Sequence, residues 1–236
     1  MAGIIYTPQL FIFDAIVQLI ILISIIIMFV KTRELYNLSM QKGIKFLNNS
    51  MLFFLIGFTA RFIVTLINFF KFGYVDSFEQ TLFGLIFLFI NIYASFMGGL
   101  YLAYCLVWRQ FEKDRFNRSK FKNLILINFF ALTVVAIDLY LITVVGFHTP
   151  YLFFIIIICI LIFAIVMNCH HCSCCKMGGK NLNPFISLAG LGLGVYIATL
   201  IENLIFKYFY TIHYYMWGII VVFILAFLYH VTRVSK

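Results

Sequence analysis

The sequence predicts an all-α membrane protein: a bundle of seven transmembrane helices, N-terminus outside and C-terminus cytoplasmic. Three observations carry this. The 236 residues are 64% hydrophobic and only 11% charged, with a mean hydropathy of +1.08. A soluble domain is nearer half apolar and a quarter charged, and disorder requires low hydrophobicity. Seven apolar stretches come close to or exceed the about 20 residues that a helix needs to cross the hydrocarbon core. The alternation of a barrel strand is absent, which leaves helices as the spanning element.

The first stretch, about 9–30, follows Pro8 and is closed by Lys31 and Arg33. The second, about 50–70, comes after Lys42 and Lys45 and stops at Lys71. The third, about 80–107, ends at Arg109, and the fourth, about 123–146, starts after Lys122. The fifth, about 151–167, starts after Pro150 and is the shortest. The sixth, about 183–206, takes in Pro184 and ends at Lys207; the seventh, about 213–232, stops at Arg233. All three prolines therefore stand at span starts, where a missing N–H costs no hydrogen bond. No span has a proline in its middle, which disfavours a transporter of broken helices. No extramembrane stretch is long enough for a second domain, so residues 1–236 read as one transmembrane domain. A cleavable signal is not expected, because residues 1–8 lack a basic start; the first span directs insertion.

The basic residues set the orientation. Lys31, Arg33, Lys42 and Lys45 follow the first span; Arg109, Lys113, Arg115, Arg118, Lys120 and Lys122 follow the third. Lys176 and Lys180 follow the fifth, and Arg233 and Lys236 end the chain. That places 14 of 17 basic residues on one side, with Lys71 and Lys207 on the other and Arg61 inside a span. The positive side stays cytoplasmic. The net charge of +9 thus reflects topology and anionic lipid at the inner face, and nucleic-acid binding is not implied. Beyond the bilayer, the connector from Arg109 to Lys122 is the candidate contact for lipid or a cytoplasmic signalling partner. Topology alone also explains its charge.

Small residues predict close helix packing in two spans: Ala94, Ser95, Gly98 and Gly99 in the third, and Gly190, Gly192 and Gly194 in the sixth. Packing within the bundle is the expected use, ahead of homodimerisation.

Four ionisable side chains fall inside spans: Asp14, Arg61, Asp138 and Glu202. Such groups are costly in hydrocarbon and face protein or water. At a rise of about 1.5 Å per residue all four lie in the outer half of the bundle. Polar neighbours follow at helical spacings of three, four and seven: Gln18 after Asp14, Thr65 and Asn68 after Arg61, and Thr199 and Asn203 around Glu202. Asn91 and Ser95 mark a polar face on the third span. The candidate ligand pocket is therefore Asp14, Gln18, Arg61, Thr65, Asn91, Asp138, Thr199, Glu202 and Asn203. An internal ion-pair network accounts for the same charges, since buried charges are normally paired. Three acids against one base leave an acidic excess that would attract a cation or amine. The inner half has no ionisable steps, which favours a pocket closed at its base over a conduction pathway.

A Cys/His cluster follows the fifth span: Cys169, His170, His171, Cys172, Cys174 and Cys175. Cys169, Cys172 and Cys175 form C-x-x-C-x-x-C. On the cytoplasmic side thiols stay reduced, and thiolate with imidazole suits zinc or copper. An iron–sulfur run would need a further cysteine at Gly179. A solvent-facing loop and juxtamembrane thiols open to acylation explain the residues equally. Cys105 and Cys159 are expected to pack as small apolar residues.

Catalytic motifs are lacking. The seventh span carries no lysine for covalent retinal. His148, His213 and His230 lie at surfaces and form no facing haem pair. There is no H-E-x-x-H, nucleophile elbow or phosphate-binding glycine loop, so no enzyme is expected.

Residues 31–58, KTRELYNLSMQKGIKFLNNSMLFFLIGF, join a short basic connector to an aromatic-rich helix. This stretch is similar to the first loop and second-span entry of the seven-helix membrane sensor regions that precede microbial histidine kinases, and the whole chain resembles them in topology. No kinase portion is expected, since six residues follow His230. The resemblance implies ligand sensing with signalling through a partner. The expected function is a non-enzymatic, multi-pass sensor or receptor-like protein of the cell membrane with an unknown small ligand. The alternatives are a small-solute or cation transporter and a metal-handling protein using the Cys/His loop.

Overall fold

The structure, a computed structural model, describes residues 8–70, 82–113, 120–145, 150–174, 184–206 and 210–234. Within them every regular element is a helix, and there are seven: α1 Pro8–Ser39, α2 Lys42–Phe70, α3 Leu82–Lys113, α4 Lys120–Thr143, α5 Tyr151–Cys174, α6 Pro184–Phe206 and α7 Tyr210–Val234. Six are long and apolar enough to cross a membrane; in α6 the described apolar stretch, Phe185–Ile201, is shorter. The chain is an integral, multi-pass membrane protein by this criterion.

The helices are apolar on all sides, as lipid-immersed helices must be. In α1, Val17, Ile21, Ile25 and Met28 are buried at helical spacing, while Ile16, Ile20, Ile23 and Ile27 point outward. Around the bundle α1 packs on α2 and α7, α2 on α3, α3 on α5, α5 on α6, and α6 on α7. These six close a ring. α3 also reaches α6, and α4 stands outside the ring against α3 and α5.

α3 is the hub because its small residues let neighbours come close. A Cβ added at Gly98 would lie 2.6 Å from the Phe54 ring of α2, and one at Gly99 would lie 2.7 Å from Ile157 of α5. In α6, Gly192 and Gly194 meet Leu102 and Phe223 in the same way, whereas Gly190 has open space. Gly98, Gly99, Gly192 and Gly194 thus pack within the chain, as small residues do in a bundle, whereas Gly190 of the expected Gly190–Gly194 pair does not. The exposed α3 carbonyls then accept side-chain hydrogen bonds from three helices. Ser50 Oγ donates to Gly98 O at 2.7 Å, Tyr196 Oη to Ser95 O at 2.8 Å, and Asn168 Nδ2 to Leu106 O at 2.9 Å. Ser50→Ala is expected to cost about 0.6 kcal/mol, the average for an interhelical hydrogen bond in a membrane bundle. Thermal unfolding of the purified variant measures it.

The helices outrun several expected spans: the third continues to Lys113 and the fifth to Cys174, into the stretch expected as the Cys/His loop, and the largest revision is at the first connector. The basic stretch expected as a connector, 31–49, is mostly helix: α1 runs on to Ser39 and α2 starts at Lys42. Residues 31–39 support the extension, with Lys31 Nζ 2.9 Å from Glu34 one turn on and Ser39 Oγ bonded to Leu35 O. The turn between them depends on Met40 at φ 51°, whose N–H donates to Tyr36 O at 2.8 Å. This left-handed helix cap normally belongs to glycine, since a Cβ there costs about 1–2 kcal/mol. Met40→Gly is therefore expected to stabilise the protein by up to about 1 kcal/mol, read as a higher midpoint in thermal unfolding.

Candidate ligand cavity

A cavity of about 230 Å³ lies inside the ring, lined by every helix except α4. Its location follows from helix ends. Gly84 and Pro150 stand at or next to the starts of α3 and α5, Trp217 lies in the first third of α7, and Val64 and Thr199 are late in α2 and α6. The cavity therefore lies toward the end of the bundle that holds the N-terminus and extends past mid-bundle to Met28 and Phe227, about two thirds of the way along α1 and α7. Beyond that level the described residues form a buried apolar core. Leu47, Leu102, Cys105, Leu106, Leu161 and Val231 are all buried and belong to one apolar core.

Eight of the lining residues are aromatic. Phe153 and Phe154 pack against each other at 4.4 Å between ring centroids, and both meet the Tyr196 ring edge-on. Phe54 approaches Tyr196 from α2 at 6.2 Å. The Tyr196 hydroxyl is spent on Ser95 O, which locks α6 to α3.

Polar groups enter from two sides. On α3, Asn91 and Ser95 share one face one turn apart, with Ser95 Oγ 3.4 Å from Asn91 Oδ1. On α2, Arg61 lines the cavity with its guanidinium carbon 4.9 Å from the centroid of the Trp217 ring. That is cation–π distance, and it is the kind of contact that stabilises a desolvated cation. Behind Arg61, Thr65 Oγ1 donates to Gln18 Oε1 at 3.0 Å and lies 3.2 Å from Arg61 O. Gln18 is thereby buried with a partner. Thr199 lines the cavity from α6, its hydroxyl donating to Val195 O.

The nine pocket residues expected from the sequence thus separate. Arg61, Asn91 and Thr199 line the cavity, and Gln18 with Thr65 supports Arg61. Asp14 is half-buried and is not among the lining residues. Asp138 is elsewhere: its Oδ2 accepts the Phe153 N–H at 2.8 Å, so a carboxyl from α4 caps the first turn of α5. Helix starts have unpaired N–H groups and favour a negative partner, which accounts for a buried acid at this place. The side chains of Glu202 and Asn203 lie outside the described residues. So do those of Cys169, His170, His171, Cys172 and Cys174, although the backbone is helical through Cys174; Cys175 is also outside. The connector from Arg109 to Lys122 likewise has no described side chains. Among the described residues Arg61 is the one charged side chain that lines the cavity.

No family model matches the chain, and no curated protein or solved structure matches it significantly.

The cavity also contains residues that the sequence does not single out: Phe54, Phe58, Phe153, Phe154, Tyr196 and Trp217. With 30 phenylalanines in the chain, nothing marks the lining ones. Trp217 is one of only two tryptophans, and its rarity is the one signal it carries.

Proposed function

We propose that the chain is a non-enzymatic, seven-span receptor-like protein of the cell membrane, N-terminus outside and C-terminus cytoplasmic. It binds a small ligand in the cavity and relays occupancy through the helices to a cytoplasmic partner. One observation carries the reading: an apolar cavity with a few convergent polar groups, bordered by six helices and backed by a buried apolar core. Few polar groups in an apolar concavity are the usual design of a small-molecule site. The buried apolar core gives a solute no described route onward, which favours binding over transport. α6, whose described apolar stretch is short, counts as the seventh span because its 23 helical residues approach a bilayer's depth. The basic residues supply the orientation.

Thermal-shift screening of small acids, amines and neutral amphiphiles tests this on the purified chain. A true ligand at one hundred times its Kd adds about 2.7 kcal/mol of stability. Ser95→Phe, which fills the cavity from α3, is expected to abolish the shift. A hit that crosses the bilayer of proteoliposomes would turn the reading to transport, and a screen with no saturable hit would sink it.

A further inference from the structure

Resting on that reading, we infer that the cavity takes a small monocarboxylate with an apolar or aromatic body, held through Arg61. The charge of the site points this way. Arg61 is half-buried, and no described carboxylate lies within ion-pair distance of it. Of the two acids that an internal ion-pair network would assign to it, Asp138 is engaged at the start of α5 and Asp14 is not among the residues lining the cavity. The Trp217 ring covers a face of the guanidinium, a contact that uses none of its N–H donors. Those donors form a planar fork that matches the two oxygens of a carboxylate.

Size and wall narrow the class further. About 230 Å³ is below the roughly 300–1,000 Å³ of drug-sized pockets, so the ligand is small. Among the described residues the lining carries one cation, which balances one negative charge; a phosphate dianion would leave charge uncompensated against the rings of Phe58, Phe153 and Phe154. Asn91 and Ser95 stand on the neighbouring helix α3 as additional polar partners. An amine, the ligand that an acidic excess would select, meets a like charge here.

The test uses the full chain in nanodiscs of zwitterionic lipid and three probes of one skeleton: 3-phenylpropionate, 3-phenylpropan-1-ol and 3-phenylpropylamine. Binding is read by calorimetry. Saturable binding of the acid is expected, at least about tenfold tighter than the alcohol, which is the worth of one hydrogen bond to a charged group. Arg61→Gln should remove that preference, lowering the acid's affinity at least about tenfold more than the alcohol's. Arg61→Lys keeps the charge without the fork and should retain part of it; it also serves if the glutamine variant fails to fold. Equal binding of acid and alcohol, indifferent to Arg61→Gln, overturns the carboxylate and leaves the cavity as a ligand site. Preference for the amine does the same. Saturable binding of none of the three overturns both.

Discussion

Trp217→Ala is expected to destabilise the protein by about 3–5 kcal/mol, the usual range for removing a buried tryptophan. Trp217 is 2% exposed and heads the largest fully buried side chains. In a bilayer the loss is not one of hydrophobic driving force, because lipid is as apolar as the core. It arises from lost packing contacts, which a void cannot replace. The ring stands at an existing cavity, so truncation enlarges that cavity rather than allowing collapse. It also removes the face on which Arg61 rests, leaving a cation in an apolar wall. The midpoint of thermal unfolding, followed by size-exclusion of the heated protein, should fall by roughly 10 °C for a chain of this length. Trp217→Phe should fall less, since it keeps a ring under the guanidinium. An unchanged midpoint for Trp217→Ala would show that the ring contributes nothing to holding α7 in the bundle.

Asp138→Ala is expected to cost about 1–3 kcal/mol, because a buried N–H at the start of α5 loses its acceptor. The effect should be local as well as global. α4 packs chiefly on α3 and α5, and this carboxyl is a buried polar link to α5. Hydrogen exchange at the Phe153 amide should therefore accelerate more than exchange in α2 or α3. Asp138→Asn retains an acceptor at the same place and should recover most of the loss. Equal protection of the Phe153 amide in all three proteins would contradict the bond.

Much of the fold is legible in the sequence because lipid imposes a simple rule. A run of apolar side chains with satisfied backbone must be a helix, and the charges, prolines and polar clusters between runs give its ends. Bounds are least legible where helices leave the apolar run. Residues 31–39 are polar enough to read as a loop, yet they continue α1, because helix continuation needs only tolerable side chains and a turn at Met40. The site is legible in part. Polar side chains inside spans are conspicuous, so Arg61, Asn91 and Thr199 stand out by polarity and spacing alone. Asp138 stands out for the same reason, although its partner is a backbone N–H fifteen residues away on the next helix. An isolated charge announces that it needs a partner, but not which partner.

By itself, then, the sequence determined that this chain is helical and membrane-embedded, where its helices lie, and which residues are too polar to face lipid. Only the tertiary structure decided which face of each helix turns inward. Isoleucine lies on both sides of α1, and lipid and protein interior are equally good solvents for it, so burial leaves no periodic signature. The packing that breaks this tie is steric and long-range. Gly98 and Gly99 draw α2, α5 and α6 onto α3, and their approach places Arg61 over Trp217 and leaves a cavity beside it.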